Sequence, residues 1–407
     1  MTIPNVPPLR FSNDEWKRVR LDSFIISFPT NSLSWDDLNY DVGTIKNFHY
    51  GLIHNGFLST VVNSSNPLFP YINEGKAPRK YEVIKNGDII LADASEDVEC
   101  CANSIEVINN DESVVISGLH TIHCRDNKDL TVSGFKGFYF RSFAMKKQLR
   151  RLVQGTKIYS ISTRNFKEMY MSIPSKNDQH KIVNLLTLIE DKIETQKKII
   201  EKYESLIKGI TESLINSQNV KEYRFSKLYD KAGEGGTPDT KDKSNYTNGH
   251  IPFIKIDDLK EKILISNNDF ITEKGLSNSS AWLVPKNSII FSNGATIGKI
   301  SINAYPVATK QGILSIVPAK LVQSEYLYLF MKSTYFRRQI KRITVTGTMS
   351  CAYLKDINSI KCYIPEIDEQ TQVIQKINAF YSAIELEKKI LKISLSMKRF
   401  LLSNLFI

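Results

Sequence analysis

The feature that most constrains this chain is an internal repeat. The stretch Val153-Gln-Gly-Thr156 leads to Ile173-Pro174, then Asp178-Gln179, then a long helical pattern. Val345-Thr-Gly-Thr348 leads to Ile364-Pro365, Glu369-Gln370 and a second long helical pattern, with spacings that agree within one residue. Weaker matches lie upstream. Lys85-Asn-Gly-Asp-Ile-Ile90 pairs with Lys286-Asn-Ser-Ile-Ile290, and Gly118-Leu-His-Thr-Ile122 with Gly312-Ile-Leu-Ser-Ile316. Trp16-Lys-Arg-Val-Arg-Leu21 pairs loosely with Tyr223-Arg-Phe-Ser-Lys-Leu228. The period is far too long for a solenoid. Each half reads as a globular unit of mixed strands and turns followed by one long helix.

The helices follow from their apolar spacing. From Ile182 the seam steps by four and three through Leu186, Ile189, Ile193, Gln196, Ile200, Tyr203, Ile207, Ile210 and Leu214. That spacing averages the 3.5 residues of a coiled-coil seam, roughly 50 Å long at 1.5 Å per residue. Ser175 and Asp178 are N-cap candidates after Pro174. The second helix runs through Val373, Ile377, Phe380, Ile384, Leu391 and Leu401. Here the same count puts Glu387 and Lys398 on the seam. Ile390, Ile393, Met397 and Phe400 therefore suggest drift onto a neighbouring stripe.

A helix of this length carries the chain away from its first domain. A second helix that covers the same seam must run back antiparallel. The expected fold is α+β: two duplicated domains of mixed sheet and helix, separated by two long antiparallel coiled-coil helices about an approximate two-fold axis. The expected boundaries are residues 1–173 for domain one, 174–217 for helix one, 218–364 for domain two and 365–407 for helix two. Dimeric DNA readers use such geometry for half-sites one duplex turn (~34 Å) apart. Here one chain would suffice, and its two unlike domains would read unlike half-sites.

Charge supports a polyanionic partner. The 407 residues carry a formal net charge of +11 with an ordinary apolar fraction of 42%. No run approaches the ~18 apolar residues of a spanning helix. The Pro-rich start, Met1 to Arg10, does not read as a signal peptide. A cytoplasmic protein without membrane contact is the expectation. The five cysteines include no CxxC pair, which fits reduced thiols.

Two acid-free segments carry clustered cations at equivalent places, just before the Gly-Thr turns. One holds Lys136, Arg141, Lys146, Lys147, Arg150, Arg151 and Lys157; the other holds Lys332, Arg337, Arg338, Lys341, Arg342 and Lys355. A lone charge run is commonly a solvated face; paired runs in a basic duplicated chain point to phosphate contact. Gly233-Glu-Gly-Gly-Thr-Pro238, Asn293-Gly-Ala-Thr-Ile-Gly298 and Asn66-Pro-Leu-Phe69 read as turns, since none matches a dinucleotide, P-loop or amino-methyltransferase signature. His120, His123 and Cys124 with Cys100 and Cys101 lack zinc spacing, so no metal is expected. No nucleophile triad, carboxylate pair or nuclease pattern stands out.

Several stretches resemble type I restriction–modification specificity subunits, over nearly the whole chain. In domain two these are Gly235-Gly-Thr-Pro238, Tyr246, Ile251-Pro-Phe-Ile254 and Asp257-Asp-Leu259. Trp282 to Gly298, Ala308-Thr-Lys-Gln-Gly312, and Ile364-Pro365 with Glu369-Gln370 follow in the family's order. In domain one, Asn47-Phe-His-Tyr-Gly-Leu-Ile-His54 is similar to an Ile-His-Tyr-Gly-Asp-Ile-His element of some such domains, with Leu52 in place of the Asp.

The resemblance implies a non-catalytic chain that recognises a split, asymmetric DNA site through two target-recognition domains. It implies two methyltransferase and two motor-nuclease subunits as partners. Those partners would bring S-adenosylmethionine, ATP and magnesium, with no cofactor held by this chain. The helices would act as ruler and dock. Candidate DNA contacts are His49, Tyr50, His54, Lys136 and Arg141 in domain one. In domain two they are Thr237, Thr296, Lys310, Gln311, Thr348 and Ser350, with Gly347 beside them. The rival readings are an enzyme with dispersed catalytic residues and a basic scaffold that binds all duplexes equally.

Overall fold

Two prolines mark where each half passes from strand to helix. Before Pro174, the strand Tyr170–Ile173 pairs antiparallel with Lys17–Arg20; before Pro365, Lys361–Ile364 pairs antiparallel with Lys221–Arg224. Pro cannot continue the ladder, and beyond it each chain winds into a 38-residue helix, Lys176–Ser213 and Ile367–Asn404. The computed structural model describes residues 16–57, 59–97, 101–110, 113–155, 157–213, 220–345 and 350–406. These fall into two compact units: Met1–Lys198 with Lys388–Ile407, and Ile199–Glu387.

The core of the first unit is a five-stranded sheet in the order Ile25–Phe28, Thr121–Asp126, Asp88–Ala92, Ser104–Ile108, Val61–Asn63. The second unit repeats it as Tyr229–Glu234, Ile313–Pro318, Ile289–Ser292, Ile300–Asn303, Ile263–Leu264. In both sheets the last pair is parallel and the other pairs are antiparallel. The central strands are buried on both faces, hence their continuous apolar runs. A smaller sheet flanks each: four strands around Lys46–Phe48 in unit one, three around Ile251–Ile254 in unit two.

Strand register corrects two of the sequence alignments. Ile89 faces Cys124 and Ile289 faces Ile316, so His120, rather than Gly118, corresponds to Gly312. Leu21 corresponds to Phe225, since each donates to the carbonyl that precedes the returning strand, Met169 and Ile360 respectively. Apolar letters recur too often in strands for residue identity to fix register, whereas backbone hydrogen bonds do.

The two glutamines of the repeat have one structural job. Gln179 Nε2 donates to the carbonyls of Leu130 and Pro174, and its Oε1 accepts from Val132 N. Gln370 does the same with Leu321, Pro365 and Gln323 N. Both are buried, and each clamps the first turn of its long helix to the domain.

Within unit one, Ile182, Leu186, Ile189 and Ile193 share a core with Leu401, Leu405 and Phe406. Within unit two, Ile207 shares a core with Ile374, Ile377 and Ile384, and the rings of Tyr203 and Phe380 lie 5.7 Å apart. Ile200, Tyr203, Val373, Phe380 and Leu391 are half-buried seam positions, and in each unit the helix pair is antiparallel. Leu214 lies outside the described residues.

The drift expected in the second helix does not occur. Ile393 is 67% exposed, and Met397 and Phe400 are exposed too. The seam keeps its register through Ser394, Lys398 and Leu401, because Lys398 lies 2.5 Å from buried Glu190 and is thereby neutralised there. No helix among the described residues is long and apolar enough to cross a membrane.

Candidate nucleic-acid interface

The candidates in the second unit converge. The hub is Asn293, wholly buried at the end of the strand Ile289–Ser292. Its N–H donates to the Gly312 carbonyl (3.0 Å). Its Nδ2 donates to Glu234 Oε1 (2.6 Å) and the Ala352 carbonyl (3.2 Å), and its carbonyl accepts from Ala352 N (2.8 Å). One side chain and its backbone thus tie four segments together: the turn 293–298, the loop 310–312, the segment 350–352 and the strand leading into Gly235.

Each of those segments presents a candidate. Thr296 is exposed on the turn, whose carbonyl Ser292 Oγ holds at 2.6 Å. Lys310 and Gln311 are exposed on a loop pinned by Lys310 N to the Ile254 carbonyl and closed by Gly312 at φ +85°. Ser350 accepts through its carbonyl from Ala295 N. Thr237 follows Gly235 and Gly236, whose N–H groups bond the carbonyls of Ile313 and Thr309. A Cβ on Gly235 would collide with the Thr309 carbonyl, and one on Gly236 with Ser280 and Ala281, so only glycine lets the backbone approach this closely. Gly347 and Thr348 lie outside the described residues.

The first unit builds the same frame with different side chains. Asp93 takes the place of Asn293: its N–H donates to the His120 carbonyl, and its carbonyl accepts from Ile161 N. The loop corresponding to 310–312 is Gly118-Leu-His120, and His120 holds the left-handed conformation (φ +53°) that glycine holds in unit two. His120 Nδ1 sits 3.3 Å from Asp93 Oδ1.

Around His120 gathers an aromatic cluster. Tyr50 packs edge-on against it at 5.4 Å and against His54 at 6.0 Å. His54 rides on a five-residue π-turn, Leu52–Gly56, closed by Phe57 N to the Leu52 carbonyl; such π-turns concentrate at functional sites. His54 Nε2 donates to the Ala94 carbonyl at 3.2 Å. Trp35, 44% exposed, is set by a turn in which Asp37 accepts from Ser34, and it stacks on His49 at 4.4 Å.

Two candidates change role. His49 is only 2% exposed, sandwiched by Trp35 and Tyr50, so it supports the cluster rather than facing a ligand. Its Nδ1 accepts from Gly51 N, and burial, then the nearby charge of His120, lowers its pKa. Lys136, 3% exposed, pairs with Glu106 Oε1 (3.1 Å) and Thr131 Oγ1 (3.0 Å), which removes it from any phosphate. Arg141 is half-buried and donates from Nε to the Ser104 carbonyl. The acid-free run around Lys136 hid a partner thirty residues upstream.

Trp35 and His120 were not among the candidates expected from the sequence, although the structure places them in the same cluster as Tyr50 and His54. The signal for His120 was its place opposite Gly312, which needed the correct register. His123, weighed with His120 only as a zinc ligand, lies in the core: its Nε2 lies 2.7 Å from Asp88 Oδ2, and Arg125 bonds both Asp88 oxygens. Among the described residues no group of three or more His, Cys, Asp and Glu is placed to hold a metal.

Comparisons with known proteins agree with this duplicated frame. A family model described as "Type I restriction modification DNA specificity domain" matches residues 13–205 and again 218–394. The MjaIX specificity subunit of Methanocaldococcus jannaschii is 32% identical over 174 residues, 42% of this chain and 40% of that protein. The EcoR124I/EcoR124II specificity subunit of Escherichia coli is 26% identical over 204 residues, 45% of this chain and 50% of that one. The chain thus spans half or less of the length of these relatives.

Two solved structures share the fold along nearly the whole length. The type I restriction–modification S subunit from M. genitalium gives a TM-score of 0.56 at 17% identity, over 99% of both chains. A chain solved in work on complex assembly and conformational transition of the type I R-M system gives 0.60 at 14% identity, over 97% and 98%. With the family model matched in both halves, the chain belongs to the type I restriction–modification DNA specificity family.

Proposed function

We propose that this chain is the DNA-recognition subunit of a type I restriction–modification complex. It binds a bipartite, asymmetric duplex site. It directs partner subunits either to methylate adenine or to translocate and cleave unmodified DNA. The chemistry belongs to two methyltransferase subunits, with S-adenosylmethionine, and two motor-nuclease subunits, with ATP and magnesium. A flipped adenine would enter the methyltransferase rather than this chain.

One observation carries the reading. The same backbone frame, built on Asp93 and on Asn293, presents unlike side chains in the two units: Tyr50, His54, His120 and Trp35 in one, Thr296, Lys310 and Gln311 in the other. A common frame with divergent tips is what two unlike half-sites require.

The test is to co-express the chain with its methyltransferase partner and map methylated adenines across a genome. One split motif with a fixed unread gap supports the reading. Exchanging residues 1–173 or 218–364 then alters one half-site each. Lys310→Ala or Gln311→Ala relaxes one half-site alone, by ~1–3 kcal/mol per lost base contact. Methylation without a motif, by a complex that still forms, refutes base recognition.

A further inference from the structure

The helices Phe143–Leu152 and Thr334–Ile343 hold the same place in the two units. Each is capped by a serine whose Oγ accepts from the third residue on, Ser142 from Met145 N and Ser333 from Phe336 N. Each buries two residues, Met145 and Leu149 or Phe336 and Ile340. The shift that carries Gln179 to Gln370 carries one helix onto the other. It then aligns Met145-Lys-Lys-Gln-Leu-Arg-Arg-Leu152 with Phe336-Arg-Arg-Gln-Ile-Lys-Arg-Ile343. Every position keeps its chemical class: apolar, basic, basic, Gln, apolar, basic, basic, apolar.

This likeness stands out because the loops have diverged: Gly118-Leu-His120 has become Lys310-Gln-Gly312. What both units retain serves something both meet. We infer that the paired cations Lys146, Lys147, Arg150 and Arg151, and their equivalents Arg337, Arg338, Lys341 and Arg342, form two sequence-independent clamps on the DNA phosphate backbone. The inference rests on the DNA-recognition reading above.

Three observations favour phosphate. The eight cations compare with a net charge of +11, so without them the chain would be close to neutral. Neither helix has an acid among its own residues, so the cationic pattern is a property both helices share. The two pairs in each helix lie one turn apart, ~6 Å along the axis, comparable with two phosphate steps of a DNA strand at ~3.4 Å each along the duplex axis. Complementing the helix dipole accounts for cations in the last turn, Arg150 and Arg151 or Lys341 and Arg342, but not for the earlier pair.

In unit two, Arg337 and Lys341 also line a groove of about 540 Å³ together with Ile297 and Gly298. Those residues directly follow Thr296 on the reading turn. A phosphate held at this rim lies beside the loop proposed to meet base edges.

The experiment uses the purified complex of this chain with its methyltransferase subunits. Binding is measured across a potassium chloride series, to a duplex bearing the mapped site and to one lacking it. First, the unaltered complex must discriminate between them; if it does not, the recognition reading fails, independently of the clamp. Then Arg337→Gln, Arg338→Gln, Lys341→Gln and Arg342→Gln are combined, and the same is done at Lys146, Lys147, Arg150 and Arg151. The clamp predicts that affinity for both duplexes falls by the same factor. It also predicts a salt slope shallower by ~0.9 per lost phosphate contact, with the methylated motif unchanged.

An unchanged slope, a changed motif, or loss of methyltransferase subunits with an unchanged slope would each overturn it, the last by assigning the face to the partner. If the combined variants do not fold, single changes such as Arg338→Gln each lower the slope by up to ~0.9, and Lys341→Arg preserves it.

Discussion

Asp88 shows how a charge is held inside a core by the bonds around it. It is fully buried at the start of a central strand, where it accepts from Lys85 N, His123 Nε2 and the Arg125 guanidinium. Arg125 also reaches Glu82 and stacks on the Phe28 ring at 4.4 Å. Burial alone would raise the Asp88 pKa, but the bonds from His123 and Arg125 outweigh it and hold the carboxyl below its ordinary value. Asp88→Asn should cost ~3–5 kcal/mol, because it strands buried partners. A group with a depressed folded pKa adds stability that is full above its unfolded value, ~3.9, and is lost as pH falls through the folded value. Urea unfolding of the variant should therefore lose the part of the acid limb that lies below pH ~4 in the parent. An unchanged limb would contradict this account. At the same scale, Gln179→Leu or Gln370→Leu orphans three backbone groups and should cost ~1–3 kcal/mol, read as faster amide exchange in the first turn of that helix alone.

Among the elements, the long helices carry the clearest energetic argument. Glu190 is nearly buried and accepts from Thr60 N (2.8 Å) and Thr60 Oγ1 (2.5 Å) as well as facing Lys398. It couples both long helices to the strand end near Val61 within unit one. Lys398→Ala leaves a buried carboxylate against Thr60 and should cost ~3 kcal/mol. Adding Glu190→Gln should restore part of that loss, giving a coupling energy in a double-mutant cycle of unfolding. Simple additivity would refute the pairing. Heptad counting scored Lys398 as a defect because it sees one helix at a time. The partner that makes a lysine acceptable there lies roughly two hundred residues away in sequence.

For the whole molecule, the proposed role as a ruler gives a sharp prediction. Inserting four residues in both long helices adds ~6 Å, about two base-pair steps of duplex. Methylation mapping should then report the same two half-sites with a longer unread gap. An altered half-site with an unaltered gap would exclude the ruler.

Duplication, the strand-to-helix transitions at Pro174 and Pro365, and the two long helices were legible in the sequence. They rest on local spacing and on comparing the chain with itself. Thr237, Thr296, Lys310, Gln311 and Ser350 could be named as candidates from the sequence because each sits beside a glycine or a turn motif. Only the tertiary structure joined them, through the hydrogen bonds of Asn293. It withdrew His49 and Lys136, whose burial depends on Trp35 and Glu106 from distant segments. It also brought in His120, once backbone pairing set it opposite Gly312. Spacing along a chain determines which faces are apolar and where helices begin. Which charges are neutralised, and which loops meet, is decided by contacts between residues far apart in sequence, and these exist only once the sheets have closed.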